Sequence, residues 1–245
     1  MAGIRKTIIG RGLGRIRDYA ENGTVLLLLV LSCAGWGFLE LGEAVSAGGT
    51  HSFDQRILLL MRSATDAGDP VGPPWFEEMS RDVTALGGVG VLAFLTLATG
   101  GLLGLSGRWR TMWFVFLAVG GGLVLSSLAK AGFDRPRPDL VPQFSLVHTS
   151  SFPSGHSMMA AVTYLTLAAL LARSQPQRRI KIYLILLAAL VTVAVGLSRI
   201  YLGVHWPTDV VAGWTAGAAW ALLCLLAARL LEQRRAIEPE PPEQD

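Results

Sequence analysis

Three stretches of the chain hold residues able to handle a phosphate. They read KAGFDRPRP at 130–138, PSGH at 153–156 and SRIYLGVHWPTD at 198–209. The last places His205 four residues before Asp209, with Pro207 between them. Proline suits the first position of a helix, which puts Asp209 in the first turn, where negative charge is favoured. From there the carboxylate can reach back to one imidazole nitrogen of His205. That fixes the tautomer and leaves the other nitrogen as a nucleophile. In the second stretch Ser154 is a helix cap, and Gly155 has no Cβ to keep an anion from the backbone. The N–H groups of a helix start are unpaired and its dipole end is positive, an arrangement that binds phosphate. His156 then stands beside the anion with a titratable proton. Lys130, Arg137 and Arg199 add three cations. Two histidines, a carboxylate that orients one of them and three cations compose a phosphoryl-transfer site.

Such residues must be gathered by the elements that carry them. Of the 245 residues 51% are hydrophobic and 16% charged, with the charges clustered between apolar stretches. Six stretches approach the roughly 20 residues a spanning helix needs: 24–41, 83–105, 111–129, 157–173, 180–197 and 210–231. The expected fold is therefore all-α, a polytopic membrane bundle of six transmembrane helices. A basic cytoplasmic lead covers 1–23, the membrane domain 24–235 and an acidic, Pro-rich cytoplasmic tail 236–245. With the N-terminus inside, seven of the 21 Lys and Arg fall outside: Arg56, Arg62, Arg81, Lys130, Arg135, Arg137 and Arg199. The other 14 fall inside, which supports this orientation. The net charge of +3 then reflects topology, and no nucleic-acid partner is expected. AVSA at 44–47 resembles a signal-peptide cleavage site. The lead and the apolar run are both too long for one, so the first span is read as a retained helix.

In that topology Lys130 closes the third span, PSGH opens the fourth, Ser198 and Arg199 close the fifth, and His205 precedes the sixth. Odd spans end outside and even spans begin there. All the groups thus collect on one face, at a depth where isolated charge is costly and an anion compensates.

Other features receive structural readings. FDQRILLLMRS at 53–63 places Phe53, Ile57, Leu60 and Met61 on one face of a helix lying on the membrane or against the bundle. Gly100 with Gly104 and Gly213 with Gly217 mark close helix packing. Cys33 and Cys224 are small core residues, and Trp75, Trp206 and Trp214 interface anchors. Glu77, Glu78 and Asp82 form a solvated face. Arg135 has two readings, a further phosphate ligand or positive loop surface. His148 likewise either touches a headgroup or is a solvated loop residue.

The three stretches together resemble the type 2 phosphatidic acid phosphatase superfamily, which also contains vanadium haloperoxidases. Its motif is KxxxxxxRP, PSGH and SRxxxxxHxxxD, and all eleven specified positions match in order and spacing. The resemblance implies that Lys130, Arg137 and Arg199 bind phosphate oxygens, helped by Ser154 and the backbone at Gly155. It implies that His205 attacks phosphorus, Asp209 orients it, and His156 protonates the departing oxygen and then assists water. No metal and no cofactor are expected. The implied enzyme is an integral membrane lipid phosphatase in a bacterial inner membrane, its site facing the periplasm or extracellular side. Its substrate would be a lipid phosphomonoester or diphosphate, such as undecaprenyl diphosphate, phosphatidate, phosphatidylglycerophosphate or a lipid A phosphate. The alternatives are a phosphotransferase that passes the phosphate to another lipid and a non-catalytic lipid-phosphate binder. Both catalytic histidines would be unexplained in the binder.

Overall fold

The protein is described by a computed structural model covering residues 2–139 and 149–234. The described residues are helical throughout apart from loops and one isolated bridge between Arg62 and Pro70. In chain order the helices are α1 (Ala2–Ser46), α2 (His51–Leu60), α3 (Pro74–Ala85), α4 (Val89–Leu105), α5 (Trp109–Ala131), α6 (Gly155–Ala160), α7 (Thr166–Arg173), α8 (Arg178–Tyr201) and α9 (Pro207–Gln233). A π-helical turn, Ala161–Leu165, joins α6 to α7, so the two form one span, Gly155–Arg173.

Five segments are long and apolar enough to cross a membrane, and a sixth is obtained if α3 and α4 act together. These two helices meet at 46° across Leu86, Gly87 and Gly88. The chain breaks there because Gly88 is extended (φ −75°, ψ 151°). A Cβ on Gly87 would lie 2.5 Å from Val195 Cγ1 and 3.2 Å from the His156 carbonyl oxygen. The break therefore lies directly against the start of α6. It leaves the Leu86 carbonyl outside a regular helix, and Tyr164 Oη donates to it at 2.8 Å. The sequence reading of one straight span over 83–105 thus becomes a bent pair.

Helix α9 is the central element, packed by α1, α6 and α8. Gly213 and Gly217 let it lie on the backbone of α6. A Cβ at Gly213 would stand 2.7 Å from the Ser154 carbonyl oxygen, and one at Gly217 2.5 Å from that of Met158. Gly100 and Gly104 make room on α4 for side chains of α5, those of Phe116 and Met112. The expected packing role of both pairs holds.

Two loops over the site end of the bundle are pinned by aromatic rings. Phe133 and Phe152 meet at 4.6 Å between centroids, and Phe38 of α1 packs on both. Complete burial of a ring such as Phe152 contributes about 1.5–3 kcal/mol. Beside this cluster the two loops are joined by a backbone bond, Ser151 N–H donating to the Arg135 carbonyl at 2.9 Å.

The structure differs from expectation in three further respects. Helix α2 forms, but Asp54, Leu58 and Met61 face the bundle, while Phe53 and Leu60 are exposed. The run of three leucines offers two overlapping stripes, and the buried charge of Asp54 decides between them. Trp206 is buried with Leu58, Ile200 and Val210, and Trp214 donates from Nε1 to the Thr192 carbonyl at 3.0 Å. Both are packing residues and not interface anchors; Trp75 alone of the three is exposed. Cys33 is exposed on α1, whereas Cys224 is buried as expected.

Candidate active site

The site is built where the C-terminal ends of α5 and α8 meet the N-terminal ends of α6 and α9. A backbone bond ties the last two together, with Ser154 N–H donating to the Asp209 carbonyl at 2.9 Å. Close approach at Gly213 allows it. Ser154 caps α6, its Oγ accepting from Ser157 Oγ at 2.9 Å and from Ser157 N–H at 3.5 Å. Gly155 follows, where a Cβ would lie 3.1 Å from Lys130 Cε. Glycine here lets the lysine stem cross the start of α6.

His205 precedes α9 and is almost fully buried. Its Nδ1 lies 3.3 Å from Asp209 Oδ2, and its Nε2 lies 3.3 Å from Arg137 Nη1. A guanidinium only donates, so Nε2 presents its lone pair and Nδ1 carries the proton toward Asp209. The i, i+4 geometry read from the sequence is present, with the free nitrogen turned toward the cations. Burial pushes the His205 imidazole down to about 4; the bond to Asp209 opposes this, and Arg199 and Arg137 reinforce it. The ring is neutral near pH 7, as a nucleophile must be.

Asp209 is fully buried, and both its carboxylate oxygens accept hydrogen bonds. Oδ2 accepts from Ser151 Oγ at 2.5 Å and from Trp206 N–H at 3.0 Å, besides His205. The Trp206 bond is half of a capping box, so one carboxylate both starts α9 and orients the histidine. Oδ1 accepts from Arg135 Nη1 at 2.5 Å.

Three cations line the same end. Lys130 Nζ donates to the Ser150 carbonyl at 2.9 Å, Arg137 Nη1 to the Val204 carbonyl at 3.1 Å, and Arg199 Nη1 to Thr84 Oγ1 at 3.1 Å. The Nε atoms of Arg137 and Arg199 are buried with no hydrogen-bond partner among the described residues. Burial pushes the Arg137 guanidinium below its usual range, and Asp209 opposes the shift. Half-buried, under-compensated guanidinium groups are an environment an oxyanion satisfies. His156, half-buried at the start of α6, has Arg199, His205, Arg137 and Lys130 as its electrostatic neighbours.

Every predicted site residue among those described thus reaches one end of the bundle; His148 lies outside the described residues. Arg135 fits neither of its two readings. Its guanidinium spans two buried carboxylates, donating from Nη2 to Asp54 at 2.6 Å and from Nη1 to Asp209. It also lies 5.6 Å from the centre of the Trp206 ring. Sequence reasoning missed Asp54, Ser151 and Thr84. The signal for Asp54 was a carboxylate on the Leu58–Met61 stripe of an amphipathic helix. Ser151 and Thr84 carry no comparable signal. Among the described residues no group of three or more His, Cys, Asp or Glu is disposed to hold a metal ion.

Residues 111–232 match the family model described as the PAP2 superfamily. The chain is 34% identical to phosphatidylglycerophosphatase B of Bacillus subtilis (strain 168), over 74% of this chain and 85% of that protein. It is 31% identical to a lipid A 1-phosphatase of Rhizobium johnstonii, over 47% of this chain and 46% of that one. Among solved structures it resembles the transmembrane PAP2-type phosphatidylglycerolphosphate phosphatase of Bacillus subtilis. The TM-score is 0.71 at 29% identity, covering 82% of this chain and 96% of that one. Aquifex aeolicus LpxE gives a TM-score of 0.50 at 26% identity, covering 70% and 94%.

Proposed function

The chain belongs to the PAP2 superfamily of membrane lipid phosphatases, and on that premise we propose that it removes the phosphomonoester of a phosphatidylglycerophosphate-like lipid through a phosphohistidine on His205. One observation carries the mechanism. His205 gives Nδ1 to Asp209 and turns Nε2 toward Arg137, so the nucleophilic lone pair faces the anion-binding cations. The choice of headgroup is supported by extent: the likeness to phosphatidylglycerophosphatase B covers 85% of that protein, and the likeness to the lipid A 1-phosphatase 46%.

Phosphate oxygens are held by Lys130, Arg137 and Arg199, with Ser154 and the backbone at Gly155 beneath them. The Nε2 lone pair of His205 attacks phosphorus while the bond to the lipid oxygen breaks. His156, protonated, gives its proton to that oxygen, and the lipid alcohol leaves. The neutral His156 then takes a proton from water, which attacks phosphorus. The P–N bond breaks, orthophosphate leaves and His205 returns neutral. Asp209 holds the Nδ1 proton throughout and stabilises the positive ring. The three cations supply the charge stabilisation, so no metal or cofactor is needed.

The test is orthophosphate release by purified protein across phosphatidylglycerophosphate, phosphatidate, undecaprenyl diphosphate and a lipid A phosphate, each with and without chelator. Fastest turnover on phosphatidylglycerophosphate, unchanged by chelator, is expected. Preference for another lipid overturns the headgroup, and loss restored by a divalent ion overturns the metal-free chemistry. Phosphate appearing on a second lipid and not as orthophosphate would make the protein a phosphotransferase. The proposed orientation in a bacterial inner membrane places both termini in the cytoplasm and the site toward the periplasm. Cysteines at Arg108 and Arg178 should then resist an impermeant thiol reagent in intact cells, and one at Asp66 should label.

A further inference from the structure

We propose that Asp54 is a positioning residue for Asp209 and acts on it through Arg135. The proposal rests on the reading of Asp209 as the carboxylate that orients the nucleophile. Asp54 sits on α2, 154 residues before Thr208, and its side chain is fully buried. A carboxylate at such depth persists only when paired and fully hydrogen-bonded. Here it is both. Oδ1 accepts from Thr208 N–H at 2.9 Å, and Oδ2 accepts from Thr208 Oγ1 and from Arg135 Nη2, each at 2.6 Å. The other end of the same guanidinium donates to Thr208 Oγ1 at 2.8 Å and to Asp209 Oδ1 at 2.5 Å. Thr208 and Asp209 are adjacent in the first turn of α9. One cation therefore bridges two anions across that turn.

The bridge has two consequences for His205. The first is geometric. Arg135 is anchored at both ends, so the Oδ1 side of Asp209 cannot rotate, and Oδ2 stays on the Nδ1 proton. The second is electrostatic. A guanidinium shared between two carboxylates leaves Asp209 with more negative charge than a guanidinium of its own would. Oδ2 then remains a strong acceptor as the His205 ring gains positive charge. If Asp54 is uncharged, Arg135 neutralises Asp209 alone and turns with it. A residue that merely clamped α2 to α9 would have the same bonds to Thr208 but no effect that depends on Asp209.

That dependence is the test. Full-length detergent-solubilised protein is measured with phosphatidylglycerophosphate as wild type, Asp54→Asn, Asp209→Asn and the double variant. Asp54→Asn should lower kcat by about 10–100-fold and change KM by less than about threefold, the scale seen for partners one shell out from a reacting group. On the Asp209→Asn background the same substitution should cost no more than about twofold, because its target is already lost. An equal cost on both backgrounds, or an unchanged kcat, overturns the proposal. Size-exclusion profile and vanadate affinity report whether Asp54→Asn is folded. If it is not, Arg135→Gln with and without Asp209→Asn reads the same coupling from the bridging residue, with the same two outcomes. His205→Ala runs in parallel. If it retains turnover, the phosphohistidine reading fails; if it is dead while Asp54→Asn is additive with Asp209→Asn, only the role of Asp54 fails.

Discussion

Lys130, Arg137, Arg199 and Arg135 come to the same end of the bundle, and they are held in two opposite ways. The first three donate to neutral oxygens: the Ser150 carbonyl, the Val204 carbonyl and the Thr84 hydroxyl. Among the described residues none of them forms an ion pair with a carboxylate. Arg135 is paired to two, Asp54 and Asp209. A neutral acceptor fixes a guanidinium or an ammonium in place without cancelling its charge. A carboxylate fixes it and cancels it. The first arrangement leaves positive potential, which the proposed function assigns to a substrate phosphate, and the second converts a cation into a structural strut. The opposite end of the bundle shows the second arrangement again, where Arg173 of α7 pairs with Glu232 of α9.

The largest break of this contrast is expected at His205, the proposed nucleophile between the two groups. His205→Ala should lower turnover by about 10⁶-fold, as removal of other catalytic nucleophiles does. It should also abolish acid-labile phosphate on the protein, yet leave binding of the lipid phosphate, since the three cations remain. Retention of more than about one per cent of turnover would remove His205 from the mechanism.

Asp209→Asn should cost less, about 10³–10⁴-fold in kcat, because the role proposed for the residue is to orient and not to attack. The isosteric amide keeps some bonds of the capping box while losing the charge. A drop confined to KM would make Asp209 a binding residue and reverse its assignment as the carboxylate that orients His205.

Arg199→Ala probes the uncompensated group itself. Loss of one donor to the reacting phosphate should lower kcat/KM by about 10²–10³-fold. Vanadate, which adopts the five-coordinate geometry of in-line transfer, should inhibit the wild type and inhibit this variant more weakly. Arg173→Ala should leave both turnover and vanadate inhibition near wild type, since its charge is already cancelled and lies at the far end. Equal effects from Arg199 and Arg173 would dissolve the contrast.

The smallest effect is on stability against acid. Folded His205 resists protonation until the pH nears 4, whereas an unfolded imidazole titrates near 6.5. Between those values the unfolded chain binds a proton that the folded one refuses. Stability from this group is therefore whole above about pH 6.5 and falls as the pH drops toward 4. Melting temperatures of solubilised protein at pH 7, 6 and 5 should decline, and His205→Gln should flatten the decline. An unchanged slope in that variant would place the acid sensitivity elsewhere.

The residues gathered at the candidate site were legible in the sequence because each of their spacings is local. His205 and Asp209 lie within one helical turn, and Ser154, Gly155 and His156 are consecutive. Lys130 and Arg199 mark the ends of apolar runs whose lengths already say where a membrane surface must be. Helix periodicity and span counting then place these ends on one face without any knowledge of packing. What lay beyond reach was every contact made across the chain. Asp54 meets Arg135 over 81 residues, Arg199 meets Thr84 over 115, and Tyr164 meets the Leu86 carbonyl over 78. Composition marks such residues only as a charge on an apolar stripe or a hydroxyl near a glycine. Whether Arg135 offers its charge to a substrate or has it cancelled depends on which carboxylate arrives beside it. That was decided by the glycines that let α9 settle on α6 and by the face on which α2 came to rest, because the energy of a buried charge belongs to its three-dimensional neighbours and not to its place in the chain.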